Sequence, residues 1–150
     1  MAATERLAAA LANIAVIGDV IALRGDLGAG KTAFARAFIR AAGDAQGLTI
    51  DEVPSPTFTI VQVYDEIDPP IWHVDLYRLE HVNETIELGL EEGFETAISL
   101  IEWPDRLGDE LPPQHLDLTL VQGPTEEARV AQLGPHGTWA SRLGVLRNFQ

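Results

Sequence analysis

Val20-Ile21-Ala22-Leu23-Arg24-Gly25-Asp26-Leu27-Gly28-Ala29-Gly30-Lys31-Thr32 is the stretch on which the fold turns. Its first five residues form a short apolar run, as expected of a buried strand. The next eight fill the pattern G-x-x-x-x-G-K-[ST] through Gly25, Gly30, Lys31 and Thr32. The pattern has a physical logic. Glycines let the backbone turn tightly and come close to phosphate oxygens. Successive N–H groups then point into one concavity and form an anion nest. A following helix adds its unsatisfied first-turn donors and the positive end of its dipole. Lys31 is placed to reach the β- and γ-phosphates, and the Thr32 hydroxyl to ligate Mg²⁺. Gly28 and Ala29 keep the loop small. Nine of the ten basic residues are arginine, and the single lysine is Lys31.

The rest of the chain supplies the helices and strands such a loop needs. Leu7, Leu11 and Ile14 recur at helical spacing, so residues 4–16 read as an amphipathic helix with Thr4 as its N-cap. Gly18 and Asp19 end it. Phe34, Phe38 and Ile39, with alanines between, predict a helix over about 31–42 that stops at Gly43. Residues 57–64 are β-branched and aromatic and read as a strand. Residues 71–75 and 98–102 are apolar runs that each end in an acid, Asp75 and Glu102. Residues 83–90 suit a short helix. In 115–121, Leu116, Leu118 and Leu120 alternate with Asp117 and Thr119, a half-buried strand that 129–133 is placed to pair with. Residues 139–146 read as a closing helix. Strands mixed with helices around a strand–loop–helix unit make the class α/β. A length of 150 residues suits one domain over 1–150.

Composition narrows the function. The chain has no cysteine, which excludes disulfides, zinc–thiolate sites and cysteine nucleophiles. The net charge is −13. Glu80, Glu84, Glu87, Glu91, Glu92 and Glu95 form an acidic stretch where a nucleic-acid binder would show a basic stripe. Direct tRNA or DNA binding is not expected. The apolar segment 7–17 is preceded by Glu5 and Arg6 and broken by Asn13, unlike a signal peptide. No apolar run reaches membrane-spanning length. The expected location is the cytoplasm.

A P-loop enzyme needs a second Mg²⁺ anchor, usually an acid at the end of a buried strand. Asp75 and Glu102 both qualify, and the residues alone do not rank them. Pro54-Ser55-Pro56-Thr57 is a stiff segment that offers two hydroxyls, suited to a switch or to a plain turn. His73, His81, His115 and His136 show no metal-ligand spacing and suit ordinary surface or core roles. The three tryptophans suit the core.

Four motifs occur in order: LRGDLGAGKT (23–32), SPTF (55–58), HVDLYRL (73–79) and IEWPDRL (101–107). Together they closely resemble the bacterial TsaE family, formerly YjeE. The resemblance covers residues 5 to about 122 and implies a P-loop NTPase-like three-layer fold around a central mixed, mainly parallel β-sheet. It implies binding of ATP or ADP with Mg²⁺ and weak ATP hydrolysis. The setting is the synthesis of threonylcarbamoyladenosine beside the anticodon of tRNA. The implied partners are TsaD, the transferase, and its paralogue TsaB, with tRNA reached only indirectly. Carried over, Lys31, Asp75 and Glu102 are the catalytic residues, and Thr32, Glu102 and Asp75 the metal residues. The nucleotide contacts fall on Asp26, Leu27, Gly28, Ala29, Gly30, Lys31, Thr32, Ala33, Thr57 and Trp103. Ala33 stands where family members often have a second threonine.

Three rivals remain in view. A GTPase needs an N-K-x-D or T-K-x-D lysine, and the only lysine lies in the loop. A small-molecule kinase needs cations around the γ-phosphate, a role open to Arg36, Arg40, Arg78 and Arg106, but no acceptor pocket is evident. A nucleotide-sensing interaction module would use ATP occupancy to set partner affinity.

Overall fold

The computed structural model describes residues 2–26, 30–50, 53, 61–79, 88–123 and 129–144. Its strands are β1 (Val20–Arg24), β2 (Val61–Tyr64), β3 (Ile71–Asp75), β4 (Ile98–Glu102), β5 (Leu116–Gln122) and β6 (Arg129–Pro135). The helices are α1 (Ala2–Ile14), α2 (Lys31–Ala45), α3 (Leu90–Thr96) and the short α4 (Trp139–Arg142), with a 3₁₀ segment over Pro104–Glu110.

Every residue of β4 and the first four of β1 are buried, as runs apolar on both faces require. These strands therefore take the middle of one six-stranded sheet, ordered β2-β3-β4-β1-β5-β6. The four inner strands run parallel, and β2 and β6 close the two edges antiparallel. The sheet is mixed and mainly parallel, as the family resemblance implied.

Strand alternation sorts side chains into two cores. Ile21, Leu23, Ile71, Ile98, Leu100, Leu116, Leu118 and Leu120 pack with Ala8 and Leu11 of α1 and Phe34, Phe38 and Ile39 of α2. Val20, Val74 and Ile101 pack on the other face with Leu90, Leu107 and the half-buried Phe94. Helix α3 comes close because it carries Gly93. A Cβ there would stand 2.6 Å from the Trp72 ring. Helical layers on both faces give the three-layer architecture.

Several boundaries differ from the sequence expectation. Helix α1 begins at Ala2, so Thr4 lies inside it and is not its N-cap. Helix α2 runs through Gly43 to Ala45. Gly43 sits there for space, since a Cβ would meet Ile50 Cγ1 at 2.8 Å, and the chain turns instead at Gly47, φ 75°. The expected strand over 57–64 is described from Val61 onward. The helix expected over 83–90 is met only at its end. Residues 83–87 lie outside the described residues, and helix α3 occupies 90–96. Helix α4 is shorter than expected, with 145 and 146 also outside the described residues. Its Arg142 makes a two-pronged ion pair with Asp19, 2.7 Å on each side, tying the end of the fold to the turn before β1. Among the described residues no helix is long and apolar enough to cross a membrane.

Candidate nucleotide and metal site

Parallel pairing builds the site. In register, Asp75 of β3 faces Glu102 of β4, and Leu23 of β1 faces Glu102 from the other side. Paired residues point to the same face. Asp75, His73 and Glu102 therefore share the face of Leu100, which packs beneath α2. The carboxyl ends of these strands thus carry both acids to the amino end of α2, where Lys31 and Thr32 begin the helix.

Gly30 immediately precedes α2 with φ 105°, a left-handed conformation that favours glycine. Lys31 is only 4% exposed. Its Nζ donates to the Gly25 carbonyl at 2.6 Å and to the Asp26 carbonyl at 3.4 Å. The same ammonium lies 3.6 Å from the centre of the Trp103 ring, a cation–π contact. Burial holds the Lys31 ammonium below the usual lysine range, opposed by the negative charges of Glu102, Asp75, Asp26 and Asp105.

Thr32 Oγ1 sits 3.0 and 3.1 Å from the two Glu102 oxygens, a hydroxyl shared across one carboxylate. His73, fully buried, donates from Nε2 to Glu102 Oε2 at 2.7 Å. Its Nδ1 is a buried atom without a hydrogen-bond partner among the described residues. Asp75, 5% exposed, accepts the Tyr77 N–H at 3.0 Å, and the Tyr77 ring packs on Trp103 at 5.1 Å.

Trp103 is the one non-glycine residue with positive φ (61°) among those described. Such a conformation costs of order 1–3 kcal/mol. It turns the chain sharply after Glu102 and lays the indole over Lys31, with Pro104 opening the 3₁₀ segment behind it. Arg106 then donates to the Leu79 carbonyl at 3.0 Å, joining the two acid-bearing segments.

The structure therefore brings Lys31, Thr32, Glu102 and Trp103 together, with Asp75 one strand away in register. Asp26 contributes a carbonyl, Gly30 the turn, and Ala33 the next position of α2. Leu27, Gly28, Ala29 and Thr57 lie outside the described residues. His73 is the residue the sequence reading passed over. Its signal was present: it stands two positions before Asp75 on a strand, hence on the same face.

A hydroxyl and a carboxylate are hard oxygen donors, the kind that suit Mg²⁺. One buried ammonium beside a glycine-opened helix suits a polyphosphate. The donor set fits both groups.

The family model described as "Threonylcarbamoyl adenosine biosynthesis protein TsaE" matches residues 1–130. The tRNA threonylcarbamoyladenosine biosynthesis protein TsaE of Bacillus subtilis (strain 168) is 38% identical over 129 residues, 85% of this chain and 77% of that protein. The protein of the same name from Nostoc sp. is 38% identical over 146 residues, 93% of this chain and 85% of its own. A crystal structure of Bacillus subtilis YdiB superposes with a TM-score of 0.77 at 28% identity, covering 97% of this chain and 88% of that one. With its fold, its motifs and its matched length in agreement, the chain belongs to the TsaE family of threonylcarbamoyl adenosine biosynthesis proteins.

Proposed function

We propose that this protein binds ATP with Mg²⁺ and hydrolyses it slowly, in the service of threonylcarbamoyladenosine formation on tRNA, together with TsaB and TsaD homologues in the cytoplasm. The observation that carries the ATPase reading is the Thr32 hydroxyl lying on both oxygens of the Glu102 carboxylate, next to the buried Lys31. Thr32 and Glu102 are the residues that would hold Mg²⁺, with Asp75 behind them. Bound Mg²⁺ supplies neutralisation of phosphate charge.

The chain's own groups do the rest. Lys31 exchanges its two carbonyl partners for phosphate oxygens, a trade of neutral acceptors for charged ones that favours the nucleotide. Trp103 covers one side of that ammonium and keeps water from it. His73 positions the Glu102 carboxylate through a buried hydrogen bond. Trp103 and Tyr77 form an aromatic wall along the site.

The excess of acids over bases supports a protein that meets tRNA through partners. Of the arginines a kinase would need, Arg36 and Arg106 each donate to a backbone carbonyl, of Val53 and Leu79.

The experiment is Mg²⁺-dependent ATP hydrolysis by the pure protein, alone and with a TsaB–TsaD pair, with Lys31→Ala as the blank. Stimulation by the pair and its loss in the variant are expected. Label passing from ATP to a metabolite instead of water would mark a kinase. Nucleotide binding with no stimulation would point to a sensor module.

A further inference from the structure

The β5–β6 hairpin holds a second cluster of ligating groups, on the opposite sheet face from Glu102. Leu116, Leu118 and Leu120 point toward α2, so Asp117 points away. Antiparallel register sets Asp117 across from Gly134 and Leu116 across from Pro135. That brings His115, just before β5, level with His136, just after β6, and the His136 N–H donates to the His115 carbonyl at 3.0 Å. The two rings stack with centres 4.4 Å apart. His115 Nε2 stands 3.1 Å from Asp117 Oδ1, and His136 Nε2 stands 3.0 Å from Asp117 Oδ2. One ligand atom from each residue lies within 4.8 Å of the other two.

Hydrogen bonding specifies which nitrogen is available. His115 Nδ1 lies 2.7 Å from the Pro112 carbonyl. A carbonyl only accepts, so Nδ1 carries the hydrogen. In the neutral ring, Nε2 then presents a bare lone pair to a carboxylate oxygen. Two lone pairs facing each other at 3.1 Å repel, and a cation removes the repulsion, either a proton on Nε2 or a metal ion. A ring N–H donated to a backbone carbonyl, which leaves the other nitrogen for the ion, is the way metal-ligating histidines are commonly oriented.

We propose that His115, Asp117 and His136 form a second metal site, separate from the phosphate loop, that takes a borderline divalent cation of the zinc class through two imidazole nitrogens and one carboxylate. Two imidazoles with one carboxylate match Zn²⁺ and Co²⁺ and not Mg²⁺, which prefers all-oxygen surroundings. Arg24 donates from Nε to Asp117 Oδ1 at 2.8 Å. It occupies one lone pair of that oxygen and moderates the site's negative charge. The same arginine is chain neighbour to Gly25, whose carbonyl accepts Lys31.

The test is titration of the tag-free, chelator-stripped full chain with Zn²⁺ by calorimetry and with Co²⁺ by visible spectroscopy. Wild type and Glu102→Gln are expected to bind one equivalent each, with cobalt bands typical of nitrogen–oxygen coordination. His136→Ala is expected to bind about 10-fold more weakly or worse. Ring resonances of His115 and His136 in wild type are expected to shift with Zn²⁺ while those of His73 stay in place. That readout does not depend on the variant folding. Absence of saturable binding overturns the proposal and leaves the cluster as two imidazoles hydrogen-bonded to a carboxylate. Binding that persists in His136→Ala but is lost in Glu102→Gln overturns it too, since the metal would then sit at the phosphate loop.

Discussion

Glu102 and Asp117 are two carboxylates on neighbouring parts of one sheet, each held by imidazole, and they differ in what surrounds them. Glu102 is 3% exposed on the α2 face, with His73 at 2.7 Å and Thr32 at 3.0 Å. Asp117 lies on the other face with its side chain 24% exposed, among Arg24, His115 and His136. A buried carboxylate depends on each of its partners, because water cannot replace a lost one. A partly exposed one is screened, and its ion pairs are individually weak. The two clusters use similar chemistry, yet removing a partner should have very different consequences. Three measurements can break or sharpen that contrast.

The largest effect is expected from Glu102→Gln. It keeps the shape and hydrogen-bonding ability of the side chain while removing the charge beside Thr32. Mg²⁺-dependent hydrolysis should fall by about 100-fold or more, with folding retained by circular dichroism. Wild-type turnover would remove Glu102 from the site.

Next come the histidines. His73→Ala opens a cavity and strips the buried carboxylate of a donor, so urea unfolding should show a loss of about 2–4 kcal/mol. His136, 47% exposed, should cost under about 0.5 kcal/mol as His136→Ala in chelated buffer. Equal losses would end the contrast.

The smallest effect is pH-dependent. Burial pushes the Asp117 carboxyl up, but hydrogen bonds from Arg24 and His136 and the charges of Arg24 and His115 outweigh it and hold the group below its ordinary value. A lowered carboxyl stabilises the fold above its unfolded-state value, about 3.9, and that contribution disappears as pH falls through the folded-state value. The advantage of wild type over Asp117→Asn should therefore be about 1 kcal/mol near neutrality, shrinking between about pH 5 and pH 2. A constant difference across that range would mean the ion pairs contribute nothing.

The strand–loop–helix unit around Lys31 was legible because its requirements are local. Glycines for the turn and a lysine at the helix start are read from thirteen consecutive residues. The buried strands were legible because a run apolar on both faces has few other uses. Helix ends were read less well. Gly43 looks like a stop signal, but Ile50 and Leu48 crowd it, and its role is close packing inside a helix that continues. Thr4 looks like a cap, yet the helix extends past it. Such choices depend on neighbours distant in sequence.

Sequence alone determined the α/β class, the loop, and the candidacy of Asp75 and Glu102, because each follows from residue type, order and period. It did not rank the two acids, and only the tertiary structure separates their surroundings. Parallel pairing of β3 with β4 sets them in register, and the approach of α2 gives Thr32 to Glu102. The histidines carried no readable spacing, since His73 and Glu102 are 29 residues apart and His136 and Asp117 are 19 apart. What joins them is strand register, a property of the sheet and of no single segment.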